Sequence, residues 1–129
     1  MIVDTSAVVA VLFYEEDAEK YAQAIAEADS RRMSAASFVE TAIVIEAQTR
    51  KEGNSQFDAF VRRAGISIEP VTEDQAYLAR QAFLDFGKGR HPAGLNFGDC
   101  FAYALAKVTG EPLLFKGQDF AKTDIEPAV

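Results

Sequence analysis

The first dozen residues constrain the fold most. "MIVD" is a short apolar run closed by an acid, and "TSAVVAVLF" comes directly after it. The first run reads as a short buried strand, and the apolar density of the second reads as a core helix. A strand passing straight into a helix opens an α/β unit, in which parallel strands are joined by helices that cover both sheet faces.

The alternation continues along the chain. "EEDAEKYAQAIAEAD" places Ala, Tyr and Ile at helical spacing among acids and Lys, the pattern of an amphipathic helix. "RRMSA" reads as a second strand, after which Ser37 opens "SFVETAIVIEAQTRKEG", a helix closed by Gly53. A helix over about 55–64 precedes "GISIEPV", which alternates in the manner of a strand. "TEDQAYLARQAFLDFG" starts with Thr72 and acids and ends at Gly87, both helical signals. "KGRHPAGLN" is a Gly/Pro loop leading to a helix that begins near Asn96. "PLLFK" then reads as a buried strand, Gly117 as a turn, and "DIEPA" as a last short strand. With no repeats or linkers, the pattern predicts one α/β domain over residues 1–129, a mostly parallel central sheet flanked by helices on both faces. Its 129 residues, 49% hydrophobic, suit a single core. In such sheets the ligand site lies beyond the carboxyl ends of the strands.

Composition excludes several chemistries. Cys100 is the one cysteine, so an internal disulfide or a thiolate zinc cluster cannot form. His91 is the one histidine, which removes paired-histidine catalysis and HExxH-type zinc sites. Chemistry must fall to carboxylates, hydroxyls, Lys and Arg. The apolar start is interrupted by Asp4 and has no basic residues before it, so it does not read as a secretory signal. No stretch approaches the roughly 20 apolar residues of a membrane span. The expected location is the cytoplasm. A net charge of -7 argues against a passive nucleic-acid-binding module. It is compatible with an enzyme whose clustered acids hold cations while local basic residues meet phosphate.

Four acids fall near strand ends or helix starts. Asp4 ends the first strand, Glu40 lies at the start of the helix after the second, Asp99 lies in the first turn of the helix from Asn96, and Asp119 comes just after "LLFK". Each alone reads equally as a helix cap: "SFVE" and "NFGD" both have capping-box spacing, and Asp4 precedes "TSA". As a set they would project into one crevice at the carboxyl edge of the sheet, where clustered carboxylates repel unless a cation joins them. Mg²⁺ or Mn²⁺ suits such oxygen donors. Gly98 beside Asp99 is expected to leave the helix start open to metal or phosphate. Asp124 is an alternative to Asp119 as the fourth acid. Lys88, Arg90 and His91 read either as contacts to a phosphate backbone or as a solvated loop, with Lys116 and Lys122 as further cations near the site. Cys100 reads as a small core residue rather than a nucleophile.

"DTSA", the acid in "SFVE", "NFGDCFAYALA" and "LLFKGQDF", together with the loop "GKGRHPAGLN", resemble PIN-domain ribonucleases, in particular the VapC-type toxins of toxin–antitoxin pairs. The resemblance spans essentially the whole chain. It implies a PIN-like fold, with Asp4 and Asp99 as principal metal ligands and Glu40 and Asp119 completing the site. Ser6 and Asn96 would orient carboxylates or waters. It further implies Mg²⁺- or Mn²⁺-dependent hydrolysis of tRNA or rRNA to 5′-phosphate and 3′-hydroxyl ends, a homodimer, and a VapB-type antitoxin that blocks the acid site. Three other readings stand beside it. A receiver-like phosphate-signalling domain needs an adjacent acid pair after the first strand, where Asp4 stands alone, and a dehalogenase-like phosphatase needs a second acid that "DTS" lacks. A catalytically inactive PIN-like interaction protein would have no need of the complete acid set.

Overall fold

A computed structural model describes residues 1–49 and 52–129. β1 (Ile2–Val3) passes through Asp4 into α1 (Thr5–Leu12), followed by α2 (Ala18–Glu27), β2 (Arg32–Ser34), α3 (Ala35–Thr49) and α4 (Gly53–Ala64). β3 (Ser67–Glu69), α5 (Glu73–Phe86), α6 (Phe97–Thr109) and β4 (Leu113–Leu114) complete the order, with one 3-10 turn at Phe120–Lys122. The strands pair in parallel in the order β3-β2-β1-β4. β2 and β4 therefore lie on opposite sides of β1, and the strand order reverses beside it. That reversal opens a crevice at the carboxyl ends. The residue there is Asp4.

Period-two alternation sorts the core into two layers. Ile2 and Leu113 face one side, where they pack with Ala82, Leu95, Ala102, Leu105 and Phe120 under α5 and α6. Their neighbours Val3 and Leu114 face the other side, with Ala7, Val8, Met33, Ile45 and Phe57 under α1 to α4. Such short strands suffice because both faces are covered. The expected sheet, with helices on both faces, is the one found.

Three local expectations differ. α3 begins at Ala35, directly off β2, and its first turn is capped by Ser34, whose Oγ accepts from the Ala36 N–H at 3.2 Å. Ser37 is therefore inside the helix rather than opening it. Gly53, expected to close α3, is instead the first residue of α4. A Cβ there would stand 1.8 Å from Thr49 Oγ1, so only glycine allows the two helices to approach so closely. The expected continuation of α3 through Arg50 and Lys51 lies outside the described residues. The final strand is reduced to a single bridge between Leu113 and Pro127. Among the described residues, no helix is long and apolar enough to cross a membrane.

Candidate metal centre

Asp4 serves two structural demands at once. It is the N-cap of α1, its Oδ2 accepting from the Ser6 N–H at 3.0 Å and from Ser6 Oγ at 2.6 Å. Ser6 Oγ in turn accepts from the Lys116 backbone N–H at 2.9 Å, tying the end of β1 to the end of β4. The other carboxylate oxygen, Oδ1, is buried with no hydrogen-bond partner. Burial pushes the Asp4 carboxyl up to about 6, against the Ser6 hydrogen bonds and with a further push from Glu40.

Glu40 is not a cap. It lies in the second turn of α3, and its Oε1 accepts from the Thr5 hydroxyl at 2.7 Å. The expected "SFVE" box does not form: Ser37 is fully buried and its Oγ has no partner. Ser37 lies inside α3, past the capping position that Ser34 fills, so the box has no N-cap to close on. The same carboxylate lies against Gly98, where a Cβ would stand 1.7 Å from Glu40 Oε2. The room expected to admit metal or phosphate is filled by Glu40 itself.

At the start of α6 the local reading holds. Asn96 Oδ1 accepts from the Asp99 N–H at 2.9 Å, and Asp99 Oδ2 accepts from the Asn96 N–H at 3.0 Å, a reciprocal capping box. Yet Asp99 is also pushed up to about 7, first by burial and, against the Asn96 hydrogen bond, by the charges of Asp4, Glu40 and Asp119. The four acids thus share one electrostatic environment, drawn from four separate segments of chain.

Asp119 and Asp124 have different surroundings. Asp119 is exposed at the start of the 3-10 turn and acts on Asp99 through its charge. Asp124 accepts from Tyr103 Oη at 2.7 Å and from Lys107 Nζ at 2.8 Å. It pins the C-terminal segment to α6.

The cationic residues divide in the same way. Lys116 Nζ donates to Glu15 at 2.6 Å and to Asp17 at 2.9 Å, so its charge braces the α1–α2 turn. Those two carboxylates hold the Lys116 ammonium well above its ordinary value. In the loop between α5 and α6, Lys88 and Arg90 are exposed. His91 Nδ1 accepts from the Ala93 N–H at 3.0 Å and its ring meets Phe86 edge-on, so this histidine shapes the turn. Lys122 is exposed in the 3-10 turn. Cys100 is buried, its Sγ donates to the Asn96 carbonyl at 3.2 Å, and burial pushes its thiol up to about 11, far from a nucleophile.

Thr5 and Thr41, absent from the sequence-derived site, stand behind Glu40. Thr41 Oγ1 lies 2.9 Å from Thr5 Oγ1 and donates to the Ser37 carbonyl at 2.7 Å. No spacing rule pairs residues 36 apart, and the one signal in the sequence is Thr5's place inside "DTSA".

An orphaned buried carboxylate oxygen among like charges fits a hard, oxygen-preferring divalent cation. No sulfur or imidazole in the cluster favours a softer metal. Among the described residues, no three Asp, Glu, His or Cys side chains are gathered tightly enough to clasp one ion as they stand.

The PIN domain family matches residues 1–126. Ribonuclease VapC30 of Mycobacterium tuberculosis is 52% identical over 125 residues, covering 97% of this chain and 95% of that relative. The ribonuclease VapC of Mycolicibacterium smegmatis is 53% identical over 125 residues, covering 97% of each. The crystal structure of M. tuberculosis VapC20, described as a sarcin–ricin loop cleaving toxin, superposes with a TM-score of 0.76 at 18% identity over 98% of both chains. A chain of a toxin–antitoxin complex from Klebsiella pneumoniae superposes with a TM-score of 0.70 at 14% identity, covering 95% of this chain and 92% of that one.

Proposed function

The chain belongs to the VapC ribonucleases of the PIN-domain family, and we propose that it hydrolyses RNA phosphodiester bonds through Mg²⁺ or Mn²⁺ held by Asp4, Glu40, Asp99 and Asp119. Family membership assigns ribonuclease action on the toxin side of a toxin–antitoxin pair. The observation that carries the chemical reading is the convergence of charge on Asp99, together with the unpartnered oxygen of Asp4. A cation bound there supplies Lewis acidity, lowering the pKa of a bound water and stabilising charge on the leaving oxygen.

The chain's own residues do the rest. Ser6 holds one oxygen of Asp4 and leaves the other free for a ligand. Asn96 holds one oxygen of Asp99 at the helix start, where the α6 dipole favours the ionised form. Lys88 and Arg90, exposed in the preceding loop, are the residues we assign to the RNA backbone, with His91 shaping the loop that carries them. Lys116 acts as a brace, because a phosphate would have to displace two carboxylates from it. tRNA or rRNA is the substrate class, and the cytoplasm the compartment, that this reading gives the protein.

The same reading implies two partners. A VapB-type antitoxin that covers the acid site is the inhibitor expected of a toxin in this family. A second copy of the chain is the occupant we assign to the face around Phe97. That residue is 80% exposed and packs edge-on against Phe101 at 5.0 Å. It forms a ridge between two grooves, one of about 390 Å³ lined by Ala76, Ala79 and Phe83, the other of about 250 Å³ lined by Val39, Ile43 and Val44. A ridge flanked by apolar grooves is self-complementary, as a two-fold interface requires. Glu40 and Gly98 line the second groove, so pairing would bring the two acid sites near one another.

The test incubates antitoxin-free protein with total RNA in Mg²⁺ or Mn²⁺ and in EDTA. Cleavage with metal and none in EDTA is the expected result. No cleavage of tRNA or rRNA with either metal would favour an inactive interaction protein.

A further inference from the structure

The hydroxyl of Thr5 is 8% exposed as part of its residue and sits among three polar groups from α3. It has one proton and two acceptors in reach, Glu40 Oε1 at 2.7 Å and the Ser37 carbonyl at 3.3 Å. The shorter bond, to a charged acceptor, is the stronger. Thr41 Oγ1, 2.9 Å away, completes the hydroxyl's surroundings from the next residue of α3. On the opposite side, Gly98 leaves the space that the Glu40 carboxylate occupies. Glu40 is thus held between the first residue of α1 and the first turn of α6, with its direction set by the Thr5 hydroxyl.

We propose that Thr5 is a positioning residue for the acid site, fixing the Glu40 carboxylate where it joins Asp4 and Asp99 and so setting the site's affinity for a divalent cation. "DTS" then provides one acid and two hydroxyls with separate tasks, Ser6 orienting Asp4 and Thr5 orienting Glu40. Loss of the Thr5 hydroxyl would leave Glu40 its long side-chain freedom and would let like-charge repulsion turn it outward. Outer hydroxyls and carboxylates that orient ligands commonly set affinity by about 10- to 100-fold.

This proposal rests on the metal reading of the acid site, and its test separates the two. Mn²⁺ is titrated against RNA-free wild type, Thr5→Val and Thr5→Ser, with the melting temperature as readout and circular dichroism confirming that each folds. Thr5→Val, which keeps shape and loses the hydroxyl, should raise the half-saturating Mn²⁺ concentration by about tenfold or more, and Thr5→Ser should stay within about threefold of wild type. A Thr5→Val titration matching wild type, or a Thr5→Ser titration as poor as that of Thr5→Val, overturns the proposal. In parallel, a metal-free double-mutant cycle pairs Thr5→Val with Glu40→Ala. Melting-temperature changes that fail to add by about 3 °C or more support the Thr5–Glu40 link, and additive changes overturn it. If wild type shows no Mn²⁺ response, the metal reading fails while the cycle still decides whether Thr5 positions Glu40.

Discussion

Asp4 illustrates how a single residue can be pulled in opposite directions. A capping carboxylate is best ionised, since Ser6 donates to it twice, yet burial among acids disfavours the charge. Because its folded pKa lies above the ordinary value of 3.8, at about 6, the stability it contributes is complete below pH ~4 and is lost as pH rises through 6. The strain amounts to about 3 kcal/mol by the usual conversion. Asp99, at about 7, acts in the same direction over a higher window. The melting temperature of metal-free protein should therefore fall between pH 5 and pH 8, and should fall less in Asp4→Asn, where the amide still caps α1. A Tm that rises over that window, or an Asp4→Asn profile parallel to wild type, would contradict this. Gly98 makes a second residue-scale case. Helix propensity alone says that Gly98→Ala stabilises α6 by about 1 kcal/mol. The overlap with Glu40 says that it displaces a carboxylate from the site. We expect RNA cleavage to drop about tenfold or more, whatever the change in Tm. Unchanged cleavage with raised stability would mean that the position of Glu40 is immaterial.

At the scale of elements, what is legible in the sequence depends on where each hydrogen bond closes. The capping box of α6 joins Asn96 to Asp99 within one turn, so "NFGD" reveals it. The start of α3 misleads because "SFVE" has the same spacing, while its Glu40 is claimed by Thr5 from another element. Gly53 misleads for a related reason: a helix-stop residue and a close-approach residue look alike until the neighbouring helix is in place. The choice between Asp119 and Asp124 also depends on partners distant in sequence. Tyr103 and Lys107 both engage Asp124, which marks it as a brace between the C-terminal segment and α6. The exposed Lys107 pair adds little. Loss of the Tyr103 bond in Asp124→Ala should cost about 1 kcal/mol, roughly 3–5 °C in Tm, with cleavage retained. Asp119→Asn should do the reverse, lowering cleavage or its metal affinity at nearly unchanged Tm. Exchanged phenotypes would make Asp124 the fourth acid.

For the whole molecule, the alternation of strands and helices is enough to read out a parallel sheet covered on both faces, because buried strand runs such as "MIVD" and "PLLFK" admit few other environments. That sheet places the carboxyl end of β1 at the strand-order reversal, which is why four acids remote in sequence act on one another. The apolar surface around Phe97 cannot be separated from core by composition, since the same residue types serve both. If a second copy covers it, light scattering should give a dimer mass for wild type and a monomer mass for Phe97→Glu. A monomeric wild type would remove this assignment. Beyond its place as a cap, Asp99 is proposed to drive RNA hydrolysis through its charge. Asp99→Asn keeps an oxygen that can accept from the Asn96 N–H, so the capping bond can survive while the charge is lost. The direct measurement is single-turnover cleavage of total RNA in Mg²⁺ or Mn²⁺ by wild type and by folded Asp99→Asn. Wild type should give new 5′-phosphate ends, and the variant should lose at least about 100-fold in rate. Cleavage by Asp99→Asn at the wild-type rate would contradict that role for Asp99.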